Sequence, residues 1–199
     1  MRLAVFASGN GSNFSAIQEA ILSKELSADI ACVICDQKDA GIYQRAKDAG
    51  IPIYYFDIKT FSSKKEYEKA IIAQLDKEMV ELIILAGYMR IVGSTLLEAF
   101  PKRILNIHPS YLPAFPGKQG IRDAFEAGVD QTGVTIHIVD EGVDSGPILA
   151  QEKLPILSTD SLATLEAKIH GIEHRLYSKT IQDYINQLKT RRTYDTSIN

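Results

Sequence analysis

The chain has 199 residues, 45% of them apolar and 24% charged. A chain of this size forms one domain and buries roughly 70% of its unfolded surface without a disulfide or a metal. Lys+Arg 22 against Asp+Glu 25 gives a net charge of −3, which excludes a generally basic nucleic-acid binder and leaves any anionic partner to be held by local geometry. Ordinary glycine (13) and proline (7) contents exclude collagen-like and disordered classes.

The N-terminus, MRLAVFASGNGSNF, carries too short an apolar run for a signal-peptide core, and no stretch approaches the ~18 apolar residues of a membrane span. LAVFAS (3–8) reads as a strand, followed by a helix over Ser12 to Ser23 with Phe14, Ile17, Ile21 and Leu22 at helical spacing. IACVIC (30–35) is a second strand. Its Cys32 and Cys35 have C-x-x-C spacing, but residues three apart in a strand point to opposite faces, so neither a redox pair nor a zinc site is expected. A reduced, cytoplasmic protein is the expectation. A short helix near Tyr43–Asp48 and the strand IPIYYF (51–56) follow. Lys64 to Met79 is an amphipathic helix, with Tyr67, Ile71, Leu75 and Met79 four apart. LIILAG (82–87) and ILNIH (104–108) are continuous apolar strands of the kind buried on both faces. The segment PSYLPAFPGKQG (109–120) is an irregular loop. VTIHIVD (134–140) and ILAQEKLPI (148–156) read as a hairpin, a long helix fills Ser161 to about Leu188, and 189–199 is a polar tail.

This alternation predicts an α/β fold: an open, mostly parallel twisted sheet of about seven strands with helices on both faces. One domain is expected over 1–199, its halves of one sheet meeting near residue 100.

Strand, then ASGNGSN, then helix is the geometry of a phosphate site. Gly9 and Gly11 permit left-handed backbone and close approach, and Ser12 and Asn13 are natural N-caps. Free N–H groups of the first helical turn would hold an anion without a basic patch. A dinucleotide fingerprint fails because Phe14 stands where the third glycine belongs, although Asp36 at the end of the second strand imitates the ribose-binding acid. A tight turn with a capped helix and no ligand is the alternative.

Asn106 and His108 share one face at a C-terminal strand edge, where open α/β sheets bind ligands. Asn offers an amide donor and His can move a proton near neutral pH, so the pair could hold a developing oxyanion in acyl-type transfer. Asp144 lies in the tight loop DEGVDSG, and a carboxylate near His108 would favour the charged imidazole. His137 alternates with Ile136 and Ile138 and reads as structural.

His170-Gly171-Ile172-Glu173-His174 matches the zinc-protease string H-x-x-E-H. The apolar stripe Leu162, Leu165, Ile169, Ile172, Leu176 argues against zinc. At ~100° per residue, Glu173 falls about 70° from its centre, His170 about 130° away and His174 nearly opposite, so both histidines should face solvent. Glu173, at the stripe's edge, could meet a substrate amine from a pocket rim.

FASGNGSNF (6–14), LAGYMRIV (85–92), ILNIHPSYLP with FPG (104–117), VDEGVDSGP (139–147) and IEHRLY (172–177) resemble the phosphoribosylglycinamide formyltransferase family of folate-dependent formyltransferases, in order and spacing over nearly the whole chain. The resemblance implies formyl transfer from 10-formyltetrahydrofolate to the primary amine of 5-phosphoribosylglycinamide, in de novo purine biosynthesis, with no metal. It implies that Asn106, His108 and Asp144 form the catalytic set, that Gly11, Ser12 and Asn13 hold the substrate phosphate, and that Glu173 binds the glycinamide side. Met89, Arg90, Ile91 and Val92, with Asn106 and the loop Asp140, Glu141, Gly142, Val143 and Asp144, would line the folate pocket. Lys64 stands where many relatives carry an arginine near the folate tail, which loses the bidentate fork. Phosphate-substrate binding is thus expected mainly from about 1–100, folate binding and catalysis from about 101–188. Small-molecule partners, no nucleic acid or membrane, and a monomer or homodimer are implied. A formyltetrahydrofolate hydrolase is the alternative, although hydrolysis gives the GNGSN cradle no role. A noncatalytic phosphate-binding module is a third reading, and the acidic balance disfavours a formyltransferase acting on charged tRNA.

Overall fold

The computed structural model describes residues 1–196, with side chains through Thr190. In chain order the elements are β1 (Arg2–Ala7), α1 (Ser12–Leu22), β2 (Asp29–Cys35), α2 (Ile42–Asp48), β3 (Ile53–Tyr55), α3 (Lys64–Lys77), β4 (Leu82–Leu85), α4 (Ser94–Ala99), β5 (Ile104–His108), α5 (Gly120–Glu126), β6 (Gln131–Ile138), β7 (Ile148–Pro155) and α6 (Leu162–Thr196). The strands form one seven-stranded sheet in the order β3-β2-β1-β4-β5-β6-β7. The pairs from β3 to β5 are parallel, while β6 and β7 run antiparallel as a hairpin.

Strand periodicity sorts the core into two layers. Leu3, Val5, Ala7, Val33, Cys35, Leu82, Ile84, Leu105 and Ile107 face α1, α2 and α6. Ala4, Phe6, Cys32, Ile34, Ile83, Leu85 and Ile104 face α3 and α4. Cys32 and Cys35 therefore lie in opposite layers as buried free thiols, and burial pushes Cys32 up to about 12. The chain leaves β1 toward β2 and β3, then returns to place β4 on the other side of β1. That reversal opens a crevice beyond the carboxyl ends of β1 and β4, the place where such sheets bind ligands.

Several boundaries differ from expectation. Helix α3 stops at Lys77 in a Schellman arrangement: Met79 is left-handed (φ 53), its N–H donates to Asp76 O and Val80 N–H donates to Leu75 O. Met79 is accordingly exposed and off the apolar stripe; without a glycine at this position the stop has no sequence marker. Strand β3 shrinks to three residues because Pro52 has no N–H to give a ladder. Strand β6 begins at Gln131, three residues early, because Gly133 passes so close to Glu152 O of β7 that a side chain would collide. The expected polar tail is helical through Thr196, as Lys189–Thr196 contains no glycine or proline to end α6. No helix among the described residues is long and apolar enough to cross a membrane.

Gly171 sits exposed in the interior of α6, and apart from its own helix nothing lies within 4 Å of where a Cβ would stand. Gly171→Ala is expected to raise stability by about 0.5–1 kcal/mol, read as a higher denaturant midpoint at unchanged m-value.

Candidate active site

The crevice is a cleft of about 510 Å³ lined by the turn after β1, the segment after β4, the end of β5, the β6–β7 loop and the start of α6. A groove of about 620 Å³ between α1 and α6 is larger, but it shares only His174 with the cleft and lies away from the strand ends. Chemistry is expected where the convergent polar groups are.

At the first wall, Gly11 adopts φ 78, and a Cβ there would come within 2.5 Å of Ile42 Cδ1. Both conformation and space demand glycine. Gly11 itself is the N-cap, and no side chain caps α1. Ser12 and Asn13 are therefore not caps, contrary to expectation, because the left-handed turn carries them into the first helical turn. The uncapped N–H end of α1 is left facing the cleft, the arrangement that suits an anion. Asn13 instead donates from Nδ2 to Glu173 Oε2 at 3.3 Å, and its Oδ1 is buried without a partner. Arg45 of α2 buttresses the turn from below, donating from Nε to Asn10 O at 2.7 Å and from Nη1 to Ser15 Oγ at 2.9 Å. Sequence reasoning missed this cation, which α2 brings beside the turn from 35 residues away.

Glu173 is 4% exposed, at the cleft wall, and His170 Nδ1 lies 2.8 Å from its Oε2. This hydrogen bond raises the His170 pKa despite burial. His174 does not face solvent opposite the stripe. It is half-buried, lines the cleft, and packs parallel to His170 with centroids 6.4 Å apart. A single apolar stripe implies a helix covered on one side, whereas α6 lies against both the sheet and α1, and the α1 side covers His174. Burial lowers the His174 pKa, and its Nε2 is buried without a partner.

At the opposite wall, β5 delivers Asn106 and His108 on one face, with Leu105 and Ile107 packed beneath the sheet. His108 is 3% exposed; its Nδ1 lies 3.4 Å from Asp144 Oδ2 and its Nε2 2.7 Å from Phe115 O. Both ring nitrogens thus face oxygen acceptors, an arrangement that only the imidazolium satisfies in full. Asp144 stands at φ 52 in the β6–β7 loop, where Gly117 N–H donates to its Oδ2 at 2.8 Å. Burial alone would raise the Asp144 pKa, but the His137 ring, the Gly117 amide and the nearby His108 outweigh it and hold the carboxyl below its ordinary value. The ionised form therefore contributes stability above the unfolded-state pKa, lost as pH falls through the lowered one.

His137 belongs to this cluster rather than to the core alone. It pairs with Asn106 across β5 and β6, and its Nε2 lies 3.1 Å from Asn106 Nδ2 and 3.5 Å from Asp144 Oδ1. Alternation with isoleucines revealed its face but could not reveal its cross-strand neighbour.

Of the expected folate-pocket residues, Met89, Arg90, Ile91, Val92, Asp140, Gly142 and Val143 line the cleft. Met89, Ile91 and Val143 expose apolar side chains there, while Arg90 Nε lies 2.7 Å from the buried Asp36. Asp140 folds its own loop, accepting from Gly142 N–H and Ser145 Oγ. Glu141 and Lys64 do not line the cleft; the Lys64 stem lies against Gly93, just beyond Val92. Lys118, from the irregular loop, does line it and was not anticipated.

The sequence profile of the formyl transferase family matches residues 1–181. The phosphoribosylglycinamide formyltransferase of Bacillus subtilis is 47% identical over 184 residues, 92% of this chain and 94% of that protein. The crystal structure of the phosphoribosylglycinamide formyltransferase from Bacillus halodurans superposes with a TM-score of 0.91 at 47% identity, covering 93% of this chain and 95% of that one. That from Campylobacter jejuni gives 0.87 at 31% identity, covering 93% and 97%. By the strand-end pair, the glycine turn and these likenesses together, the chain belongs to the formyl transferase family.

Proposed function

We infer that the chain transfers a formyl group from 10-formyltetrahydrofolate to the primary amine of 5-phosphoribosylglycinamide, in de novo purine biosynthesis. The observation that carries this reading is a single cleft with an uncapped glycine turn on one wall and the Asn106–His108–Asp144 cluster on the other. The glycine turn suits a phosphorylated substrate, and the cluster suits attack on an acyl carbon.

In this reading, the N–H groups at Gly11, Ser12 and Asn13 hold the phosphate, and Glu173 meets the polar groups of the amine substrate. Met89 to Val92 and the 140–144 loop take the folate, Met89, Ile91 and Val143 supplying apolar surface. Both chain halves contribute to the wall for the phosphorylated amine, since Glu173 meets Asn13 there. The amine attacks the formyl carbon, and the oxygen that becomes negative accepts from His108 and from Asn106 Nδ2. The oxyanion takes the place of Phe115 O at His108 Nε2, and of the longer 3.4 Å contact between Asn106 and Asp144. Asp144 holds the imidazolium and orders the water that carries a proton from the attacking amine to the departing folate nitrogen. Each donor is worth most in the transition state, when the charge is fully developed.

Product identity tests the reading against hydrolysis. Incubation with both substrates is expected to yield an N-formyl amine and tetrahydrofolate in equal amounts by mass spectrometry, with little free formate. Formate release independent of the amine would instead assign a hydrolase.

Glu173→Gln is expected to raise KM for the phosphorylated amine about tenfold, with a smaller change in KM for the formyl donor, measured by steady-state kinetics.

A further inference from the structure

Two carboxylates that the mechanism does not use are buried on the α3 side of the cleft: Asp36 at 4% exposure and Glu68 at 3%. Charged groups are seldom buried so completely, and a buried ion pair is poor evidence of stability, since apolar replacements often do as well. Their contacts converge on one segment. Asp36, just beyond β2, lies 2.7 Å from Arg90 Nε and accepts from Ser8 Oγ at 2.5 Å. Ser8 Oγ in turn accepts from Met89 N–H at 2.9 Å, and Ser8 N–H donates to Gly87 O at 3.1 Å. Glu68, from α3, accepts from Gly93 N–H at 2.6 Å and from Leu96 N–H at 3.2 Å. A Cβ at Gly93 would come within 2.7 Å of Glu68 Oε1, so glycine lets the carboxylate reach the backbone.

We propose that Asp36 and Glu68 are positioning residues for the folate pocket, clamping the Met89–Val92 segment at its two ends. The segment has no helix or strand of its own to hold it. Asp36 fixes its start through Arg90 and the Ser8 hydroxyl; Glu68 fixes its exit by capping α4. Glu68 makes charge-assisted hydrogen bonds to backbone N–H groups, while Asp36 acts through the Ser8 hydroxyl that receives Met89 N–H and through its charge beside Arg90; together they order the loop before ligand arrives, which spares the ordering cost on binding. Asp36 thus occupies the place of a ribose-binding acid but turns its carboxylate onto the protein. Ser8 also precedes the glycine turn, so the same relay joins the two substrate walls.

This inference rests on the folate reading of that segment, and its test separates the two. Asp36→Asn keeps an acceptor for Ser8 but loses the charge facing Arg90; Glu68→Gln keeps an acceptor for Gly93. Each is expected to raise KM for 10-formyltetrahydrofolate, and Kd for tetrahydrofolate by calorimetry, about tenfold. Saturated kcat and KM for the phosphorylated amine should stay within about twofold. Ser8→Ala, which deletes only a hydroxyl, should shift the folate constants in the same direction even if a carboxylate variant fails to fold. Unchanged folate constants in all three would overturn the proposal. So would an equal rise in both KM values with a loss of kcat, the pattern of general structural damage. A wild-type chain that binds tetrahydrofolate but forms no formylated amine would sink the transfer reading alone, leaving the clamp to be judged on Kd.

Discussion

His108→Ala is expected to lower kcat about a hundredfold to ten-thousandfold while KM for either substrate changes little, as measured by steady-state turnover. The magnitude follows from the position of the ring. His108 is buried at the end of β5, with Asp144 on Nδ1 and Phe115 O on Nε2. The ring is therefore oriented before substrate arrives, and a preorganised donor acts on the transition state far more than on the ground state. Asp144→Asn should lose kcat in the same range, because the amide neither balances the imidazolium nor accepts in the same way from Gly117 N–H and His137. The double variant should be little worse than the worse single variant, since the two residues act as a unit. The lowered Asp144 pKa adds a pH expectation. The carboxylate stays ionised through mildly acidic pH, so an acidic limb in kcat in that range belongs to a group other than Asp144.

Gly146→Ala should be among the most damaging changes outside the cluster itself. A Cβ at Gly146 would overlap Ile138 O, a backbone atom that cannot rotate away. The strands meet there, with Ile138 N–H donating to Pro147 O at 2.9 Å, so the hairpin must open to admit the methyl group. Overpacking of this kind costs about 1–3 kcal/mol, seen as a lower denaturant midpoint. Asp144 lies two residues away and depends on the same loop for its left-handed conformation. A shift of the order of 1 Å in a catalytic group costs about a hundredfold in kcat. Gly171→Ala, where a Cβ meets open space, provides the contrast: the same substitution, with the opposite sign in stability.

These sites differ in how visible they are in one dimension. Asn106, His108 and the glycine turn are legible because strand period and helix start are local properties; the turn falls at the β1–β4 reversal and the pair at the carboxyl end of β5, one strand further along the same crevice. Asp144 is legible as a polar loop residue, but its reach to His108 depends on the antiparallel return of β6. The same return hides His137, whose functional neighbour Asn106 is opposite it in a strand 31 residues away in sequence. Arg45 and Asp36 show the limit from another side: each acts on a loop supplied by a different crossover unit, so no spacing rule links them to the cleft. The position of His174 is not legible because a single apolar stripe marks one buried face, and α6 has two neighbours. Glu141 and Lys64, named by resemblance, lie outside the cleft lining, whereas Lys118 lies within it.

The central claim is that one cleft binds a phosphorylated amine at the uncapped turn after β1 and formylates it at the β5 strand end. The most direct measurement is the rate of 10-formyltetrahydrofolate consumption, followed by absorbance, with 5-phosphoribosylglycinamide, with its dephosphorylated analogue, and with no amine. Turnover is expected with the phosphorylated amine, KM at least about a hundredfold higher without the phosphate, and negligible consumption without amine. Equal rates with and without the phosphate, or consumption that ignores the amine, would contradict it.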